Sequence, residues 1–399
     1  MSRSRVLTLV AACAILAGCS SGGAATGGSG GAPTDTSPSS ASSAPEAAVP
    51  APEVAPGVVS VGLAEPYTPT PQGKSTDDYR CFLIDTGLPE DRFITGVRFL
   101  PDNPEVVHHA ILYRVQPGQL AAAKSRDEKE PGQGWGCFGG PDLPAVDDDN
   151  AVQSLGSAPW LAAWAPGGRE FRYPKGTGVF LPAGSSVILQ VHYNTLAGVG
   201  PDMTSVQLRT ELGSEDLRKL ETILLPAPVE LPCGPDESGP LCDREAAVSD
   251  TIERFGGEAL RTIWGLQFIC GGDLVEPKAG ATQSCTHDVN SDMTVFSAAG
   301  HMHLLGRAIS IVANAGTPRE KVLLDVTNYD FDRQGGIPLE KPYELKAGDS
   351  VTVTCTHDTG LRKLLPSLQG TEPRYITWGE GTTDEMCLGI MTAAAKTGA

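Results

Sequence analysis

From residue 76 onward the chain breaks into short β-type runs separated by turn-rich segments: RCFLID, RFITGVRFL, VVHHAILYRV, GVFLPAGSSVILQVHYN and SVQLRTEL, then TIWGLQFIC, MTVFSAAGHMHLLGRAISIVA, KVLLDVTNYDF and SVTVTCTHDT. Few stretches carry a helical period. Closely spaced strands with Gly and Pro turns point to β-sandwiches, and about 325 residues exceed the size at which one core stops growing, so two are expected. The fold class is therefore all-β: two tandem antiparallel β-sandwich, jelly-roll-like domains, over residues 76–214 and 215–395. The polar stretch ELGSEDLRKLE, residues 211–221, is the junction.

The N-terminus places Arg3 and Arg5 before an apolar run from Val6 to Leu16, too short for a permanent membrane span and typical of an export signal over residues 1–18. Its end, Leu16-Ala17-Gly18-Cys19, resembles the bacterial lipobox, in which the cysteine is lipidated and becomes the first mature residue. The alternative is a plain signal with a chance cysteine. Residues 19–75 are rich in Gly, Ser, Ala, Pro and Thr, and so poor in large apolar groups that they read as a disordered tether. The expectation is an exported lipoprotein at the cell envelope, on its periplasmic or extracellular face, touching the membrane through its N-terminal lipid only. Removing residues 1–18 deletes two arginines and no acid, taking the formal charge from −18 to −20, which disfavours nucleic acid as a partner.

Ten cysteines become eight once Cys13 leaves with the signal and Cys19 is set aside for lipid: Cys81, Cys137, Cys233, Cys242, Cys270, Cys285, Cys355 and Cys387. An even count in an exported chain points to four disulfides. Spacing does not fix the pairing, although Cys81 with Cys137, Cys233 with Cys242, Cys270 with Cys285 and Cys355 with Cys387 would each stay within one half. No CxxC pattern is present, which makes metal–thiolate sites the weaker reading.

Seven histidines remain to be explained: His108, His109, His192, His287, His301, His303 and His357. In SAAGHMHLLG, His301 and His303 stand at i and i+2, so on a strand both face one side and can offer two imidazoles to one ion; a hydrogen-bonded core pair is the other reading. Five of the seven sit in strand-like apolar runs, where an unpartnered imidazole costs free energy, and metal binding accounts for them together. His108 and His109 are adjacent and reach one ion only if their strand is bulged or strongly twisted; His192 in LQVHYN is a third donor for that pair. Met386, beside Cys387 in GEGTTDEMCLG, is either packing or a soft thioether ligand that selects copper over zinc, calcium or magnesium. Three nitrogens in one half and two nitrogens with a sulfur in the other would make two different copper sites, the first suited to passing electrons and the second, with an open position, to activating O2.

Taken in order, YRCFLIDTGLP, VVHHAILYRV, WLAAWAPGGREFRYPKGTGVF, LQVHYN, GHMHLLG, NYDFDRQ, LKAGDSVTVTCTHDT and GEGTTDEMC make the chain resemble the copper type II, ascorbate-dependent monooxygenases over residues 76–392. These include peptidylglycine α-hydroxylating monooxygenase and dopamine β-hydroxylase. The resemblance implies two β-sandwiches flanking a solvent-filled cleft, with one of two copper ions on each side. His108, His109 and His192 match the ligands of the electron-transferring copper. His301, His303 and Met386 match those of the catalytic copper that binds O2 and substrate. It implies a one-electron donor such as ascorbate, loss of hydrogen from an sp3 carbon of a small organic substrate, and release of hydroxylated product with water.

Cys355 and Cys387 match a family disulfide that would tie the Met386 loop to a neighbouring strand. His287 and His357 are read as non-ligands, with a supporting role open for His357, and Asp384 and Glu385 as loop-ordering acids for which a role behind the ligands is also open. The peptide-amidating members hold a peptide carboxylate with an arginine two residues before HxH and a tyrosine four after the methionine. Here those positions are Ala299 and Ile390, which points away from a C-terminal peptide and toward a more apolar pocket or a different anchor. The N-terminal half also lacks a cysteine soon after LQVHYN. Two rivals stand beside a lipid-tethered monooxygenase: a copper-binding lipoprotein without turnover, such as a copper buffer, and a zinc-dependent hydrolase using His108, His109 and His192. Met386 argues against zinc, and the presence of all six ligands argues against a decayed fold.

Overall fold

A computed structural model describes residues 57–72, 75–137, 140–144, 159–213, 217–331, 333–381 and 383–396. The export signal, Cys13 and Cys19 lie outside them. No helix among the described residues is long and apolar enough to cross a membrane.

The first half is built from β1 (Val58–Gly62), β2 (Asp77–Asp85), β3 (Arg92–Leu100), β4 (Val107–Arg114), β5 (Trp135–Gly136), β6 (Trp160–Trp164), β7 (Phe171–Arg172), β8 (Thr177–Leu181), β9 (Ser186–Asn194), β10 (Ser205–Leu212) and β11 (Arg218–Lys219). One sheet runs β1-β10-β3-β8-β11, with β7 also on β3; the other runs β5-β2-β9-β4-β6. Ile94, Val97, Val206 and Leu208 from the first sheet meet Leu112, Leu189 and Val191 from the second in a buried core. Strand β9 is central and buried almost throughout. Its alternate residues Val187, Leu189, Val191 and Tyr193 face that core, and Ile188 faces outward with Ile111 and Tyr113 of β4. A helix, α1 (Leu120–Asp127), and the Cys81–Cys137 disulfide cover part of this outer face.

Order begins earlier than expected. Strand β1 lies inside the stretch read as tether, pairs with β10 from Val58↔Arg209 to Gly62↔Ser205, and is followed by buried Leu63 and Tyr67. The alternating apolar residues of VVSVGL are masked by the Pro- and Thr-rich composition of the segment around them.

The second half contains β12 (Glu221–Pro226), β13 (Glu230–Leu231), β14 (Thr282–Asp288), β15 (Met293–His301), β16 (Gly306–Ala313), β17 (Lys321–Val326), β18 (Ile337–Leu345), β19 (Ser350–His357), β20 (Ile376–Thr377) and β21 (Leu388–Ala395). Sheets β12-β21-β15-β18 and β14-β19-β16-β17 form the second sandwich, with β13-β20 as a small ribbon. Val295, Ile309, Ile311, Val353 and Met391 fill its core. Strand β19 alternates strictly, burying Val351, Val353, Cys355 and His357. Gly300 and Gly389 pair across β15 and β21, and a Cβ on Gly300 would lie 2.5 Å from Ile309. Their lack of side chains lets the two sheets close behind His301.

The run TIWGLQFIC, read from sequence as β-type, is helical. Residues Gly257–Ile269 form α3, following α2 (Arg244–Phe255). Ala259, Ile263 and Leu266 are buried at i, i+4 and i+7, a helical spacing that the intervening apolar residues concealed. The four disulfides join Cys81 to Cys137, Cys233 to Cys242, Cys270 to Cys285 and Cys355 to Cys387, the four pairs that keep each bridge within one half.

A buried carboxylate anchors the helical pair. Glu230 of β13 is fully buried and accepts from Arg244 through Nε and Nη2, both at 2.7 Å, from Gln267 at 3.0 Å and from the Tyr375 hydroxyl at 2.9 Å. Replacing Arg244 by Met removes the charge that offsets this desolvated carboxylate. The expected loss is about 3 kcal/mol of stability, because breaking one side of a buried pair leaves the other uncompensated. Urea unfolding of Arg244→Met beside the parent protein measures it.

Candidate metal centre

The two sandwiches meet through outer sheet faces. On β4, register jumps between Val107 and His109, so that Val107 pairs with Tyr193 and His109 with His192 while His108 is the additional residue of a bulge. The irregularity that two adjacent histidines require is present. The Nδ1 of His192 lies 3.1 Å from Nδ1 of His108 and 3.2 Å from Nδ1 of His109. Donors each ~2.0 Å from one ion in a tetrahedral arrangement stand ~3.3 Å apart, so the trio has the spacing of a shared cation.

All three rings favour the neutral form that binds metal. Burial, reinforced by the neighbouring imidazoles, holds His108 and His109 well below the usual histidine range. Burial also lowers His192, against the opposing pull of Asp77. Asp77 of β2 lies 2.9 Å from His192 Nε2 and also accepts from Asn194 at 2.8 Å, fixing the tautomer so that Nδ1 carries the lone pair. Tyr79, two residues along β2, stacks on the His192 ring with centroids 4.0 Å apart.

In the second half, His301 is the last residue of β15 and His303 lies just beyond the strand, so the expectation of one continuous strand holds for the first histidine only. Between them Met302 is fully buried, its N–H donating to the Tyr329 hydroxyl, which donates back to the Met302 carbonyl. The two imidazoles still face a common side, with centroids 5.2 Å apart. Each has Nδ1 occupied: His301 by Gln334 Oε1 at 2.6 Å, His303 by the Asp384 carbonyl at 3.1 Å. Both therefore present Nε2, and the Nε2 of His303 is buried without a partner. Burial and neighbouring His303 push His301 down to about 4.

The loop that carries Met386 is clamped to the same turn. Glu385 is fully buried and accepts from the backbone N–H groups of His303 at 3.0 Å and Leu305 at 2.6 Å. Burial opposes its ionisation, but His357 and the Leu305 N–H outweigh that and hold its carboxyl below the usual range. His357 Nε2 lies 3.3 Å from the Met386 carbonyl, and Cys387 is bonded to Cys355 of β19. His357 thus supports the loop. His287 is bound elsewhere, its Nε2 2.9 Å from the Pro226 carbonyl.

The space between the halves is a cavity of about 520 Å3, lined by His109, His301 and Met386 together with Ala299, Leu388 and Ile390. Ala299 pairs directly with Ile390, and His301 with Leu388, so the two positions singled out as departures form one apolar wall. The resemblance implied a cleft with donors on opposite sides; here the His109 and His301 rings are 6.1 Å apart, and Phe331 packs on His108 at 5.1 Å. Apolar packing draws the halves together: Trp160 of β6 packs on the second core, while Phe296 of β15 and Ala394 of β21 join the first.

Comparison with known proteins places the chain in a family. Residues 63–199 match the N-terminal domain of the copper type II ascorbate-dependent monooxygenases and residues 274–392 their C-terminal domain. The chain belongs to the copper type II ascorbate-dependent monooxygenase family. The family brings copper and ascorbate, and the His108, His109 and His192 cluster is the group of His, Cys, Asp or Glu among the described residues with metal-binding geometry. A curated relative, DBH-like monooxygenase protein 1 of Gallus gallus, is 24% identical over 347 residues, covering 85% of this chain. The match spans about half of that relative, 48% of its length. Among solved structures, PNGF-II overlaps at a TM-score of 0.31 with 8% identity, over 86% of this chain and 66% of its own. Allantoicase overlaps at 0.19 with 12% identity, over 73% and 77%. Both scores are too low to bear on fold or function.

Asp77, Tyr79 and Gln334 were not singled out in the sequence. Asp77 and Gln334 are ordinary polar residues whose partners are 115 and 33 positions away, although Gln334 lies inside the quoted NYDFDRQ. Asp77→Asn should weaken copper at the three-histidine group by roughly 10- to 100-fold, the usual cost of losing a carboxylate behind a ligating histidine. Competition against a chromophoric chelator measures it.

Proposed function

We propose that this protein is an extracytoplasmic dicopper monooxygenase that hydroxylates an sp3 C–H bond of a small organic substrate, using O2 and a one-electron donor such as ascorbate. The observation that carries the reading is chemical asymmetry between two donor groups that share a cavity through His109, His301 and Met386: three converging Nδ1 atoms in one half, and two Nε2-presenting histidines with a buried thioether in the other. The donors fit copper, since the orphaned Nε2 of His303 needs a partner and a thioether favours a soft ion.

Under this reading His108, His109 and His192 hold the electron-transferring copper, and His301, His303 and Met386 hold the catalytic one. When bound, copper supplies one-electron transfer and O2 activation. The chain does the rest. Gln334 and the Asp384 carbonyl fix which imidazole nitrogen faces the cavity. Glu385, His357 and the Cys355–Cys387 bridge hold Met386 in register with that turn. Ala299, Leu388 and Ile390 present an apolar wall that shields the reacting carbon from bulk water. In sum, substrate C–H, O2, two electrons and two protons give C–OH and water.

Four disulfides support an extracytoplasmic location. Attachment through lipidated Cys19 is part of the proposal.

The test is copper content of residues 20–399 after loading and desalting, beside Met386→Ala, followed by ascorbate-dependent O2 uptake across a substrate panel. Two coppers in the parent protein, with one lost or weakened in the variant and uptake reduced at least tenfold, are expected. Tight copper binding without substrate-coupled uptake would instead identify a copper buffer, and activity without O2 or reductant a hydrolase.

A further inference from the structure

The cavity beside Met386 holds a carboxyl that the metal chemistry does not use. Glu380 lines it, and among the described residues its side chain makes no hydrogen bond or ion pair. The nearest acid, Asp384, is already bound by Arg254 at 2.8 Å, and Arg254 also holds Asp250 at 2.9 Å, so that guanidinium is committed. Arg261 reaches the cavity from an exposed position on α3 and has a partner of its own. Asp142, at another part of the lining, is paired with Arg126 at 2.7 Å. The same cavity also carries apolar side chains, including Leu224, Phe255, Leu266, Trp378, Leu388 and Ile390, beside polar Thr262 and Gln334.

Its position is fixed. Gly379 and Gly381 flank it, and a Cβ on either would lie 2.6 or 2.8 Å from Asp384 Oδ2, so the loop tolerates only glycine at this close approach. The Tyr79 hydroxyl donates to the Glu380 carbonyl, tying the loop to the ring that stacks on His192. An acid so placed pays for desolvation without compensation: burial, with Asp384 behind it, pushes the carboxyl up to about 7. Part of the surrounding wall lies outside the two stretches that match the family models. Phe255, Ala259 and Leu266 come from α2 and α3, whose residues 244–269 fall between the two stretches that match the family.

We infer that Glu380 is a specificity-determining residue, and that the cavity takes a small, largely apolar molecule whose polar end donates a hydrogen bond to its carboxyl. The donor is an ammonium or a hydroxyl; a carboxylate end is repelled. The inference rests on the proposal that this cavity is the substrate site, and it puts a hydrogen-bond acceptor in the cavity whose wall includes Ala299 and Ile390.

The test uses equilibrium binding to the metal-free chain, residues 20–399, read by the fluorescence of Trp160 and Trp378, which line the cavity. One cyclohexyl body is offered with an aminomethyl, hydroxymethyl, methyl or carboxylate end, above neutral pH so that the carboxyl is ionised. The amine or the alcohol should bind at least tenfold more tightly than the methyl or carboxylate compound. Glu380→Leu should abolish that preference. Glu380→Gln, nearly isosteric and checked by its unfolding profile, should keep the alcohol and lose the amine if the end group is cationic, and keep both if it is a hydroxyl. Four ligands bound alike, none bound at millimolar concentration, or a Glu380→Leu variant that keeps the parent's end-group preference would overturn the inference. The end-group preference without any O2 uptake would leave it standing and sink the monooxygenase reading. Uptake indifferent to the end group and to Glu380 would do the reverse.

Discussion

One fully buried carboxylate does more than any other group to set the second donor set. Glu385 takes up the N–H groups of His303 and Leu305, which the turn after β15 would otherwise leave unsatisfied, and sits directly before Met386 in the chain. The turn and the loop are therefore positioned by the same two oxygens. A carboxylate so desolvated is tolerable only while its donors stay in place, so the arrangement is cooperative: a displaced turn unpairs the acid, and a displaced acid unpairs the turn.

The two histidine groups use opposite ring nitrogens, and the choice is made by residues behind them. Asp77 occupies Nε2 of His192, leaving Nδ1 toward its two neighbours, whereas Gln334 and a backbone carbonyl occupy Nδ1 of His301 and His303. A ring attached at Nδ1 keeps its ligand close to the backbone. A ring attached at Nε2 extends its ligand outward. The first set thus lies tight against its sheet, and the second reaches toward the cavity.

Much of this was legible in the sequence, for identifiable reasons. Strands with clear alternation, such as SVTVTCTH, were readable because one face is buried and the other is not. The demand for a bulge at His108–His109 followed from strand geometry alone, and the register shift meets it. Local patterns failed where tertiary packing decides. The run TIWGLQFIC looks equally apolar as strand or helix, and it becomes helix because Ala259, Ile263 and Leu266 can be buried on one side while Glu230 anchors its polar face through Gln267. Strand β1 was hidden in a composition typical of a tether, since a lone edge strand gains its stability from β10, some 150 residues away. Asp77 and Glu380 carry no local signature; each matters only through what the fold brings beside it.

The Cys355–Cys387 bridge has a consequence for the order in which the protein is made. Cys387 is the residue after Met386, so the thioether is placed by a bond that forms only under oxidation. A newly made chain held in a reducing compartment has the histidines but lacks the covalent strut that keeps its soft donor in register. Under the proposed reading, oxidative closure of this bridge precedes full assembly of the second donor set, while the three-histidine group does not wait for it.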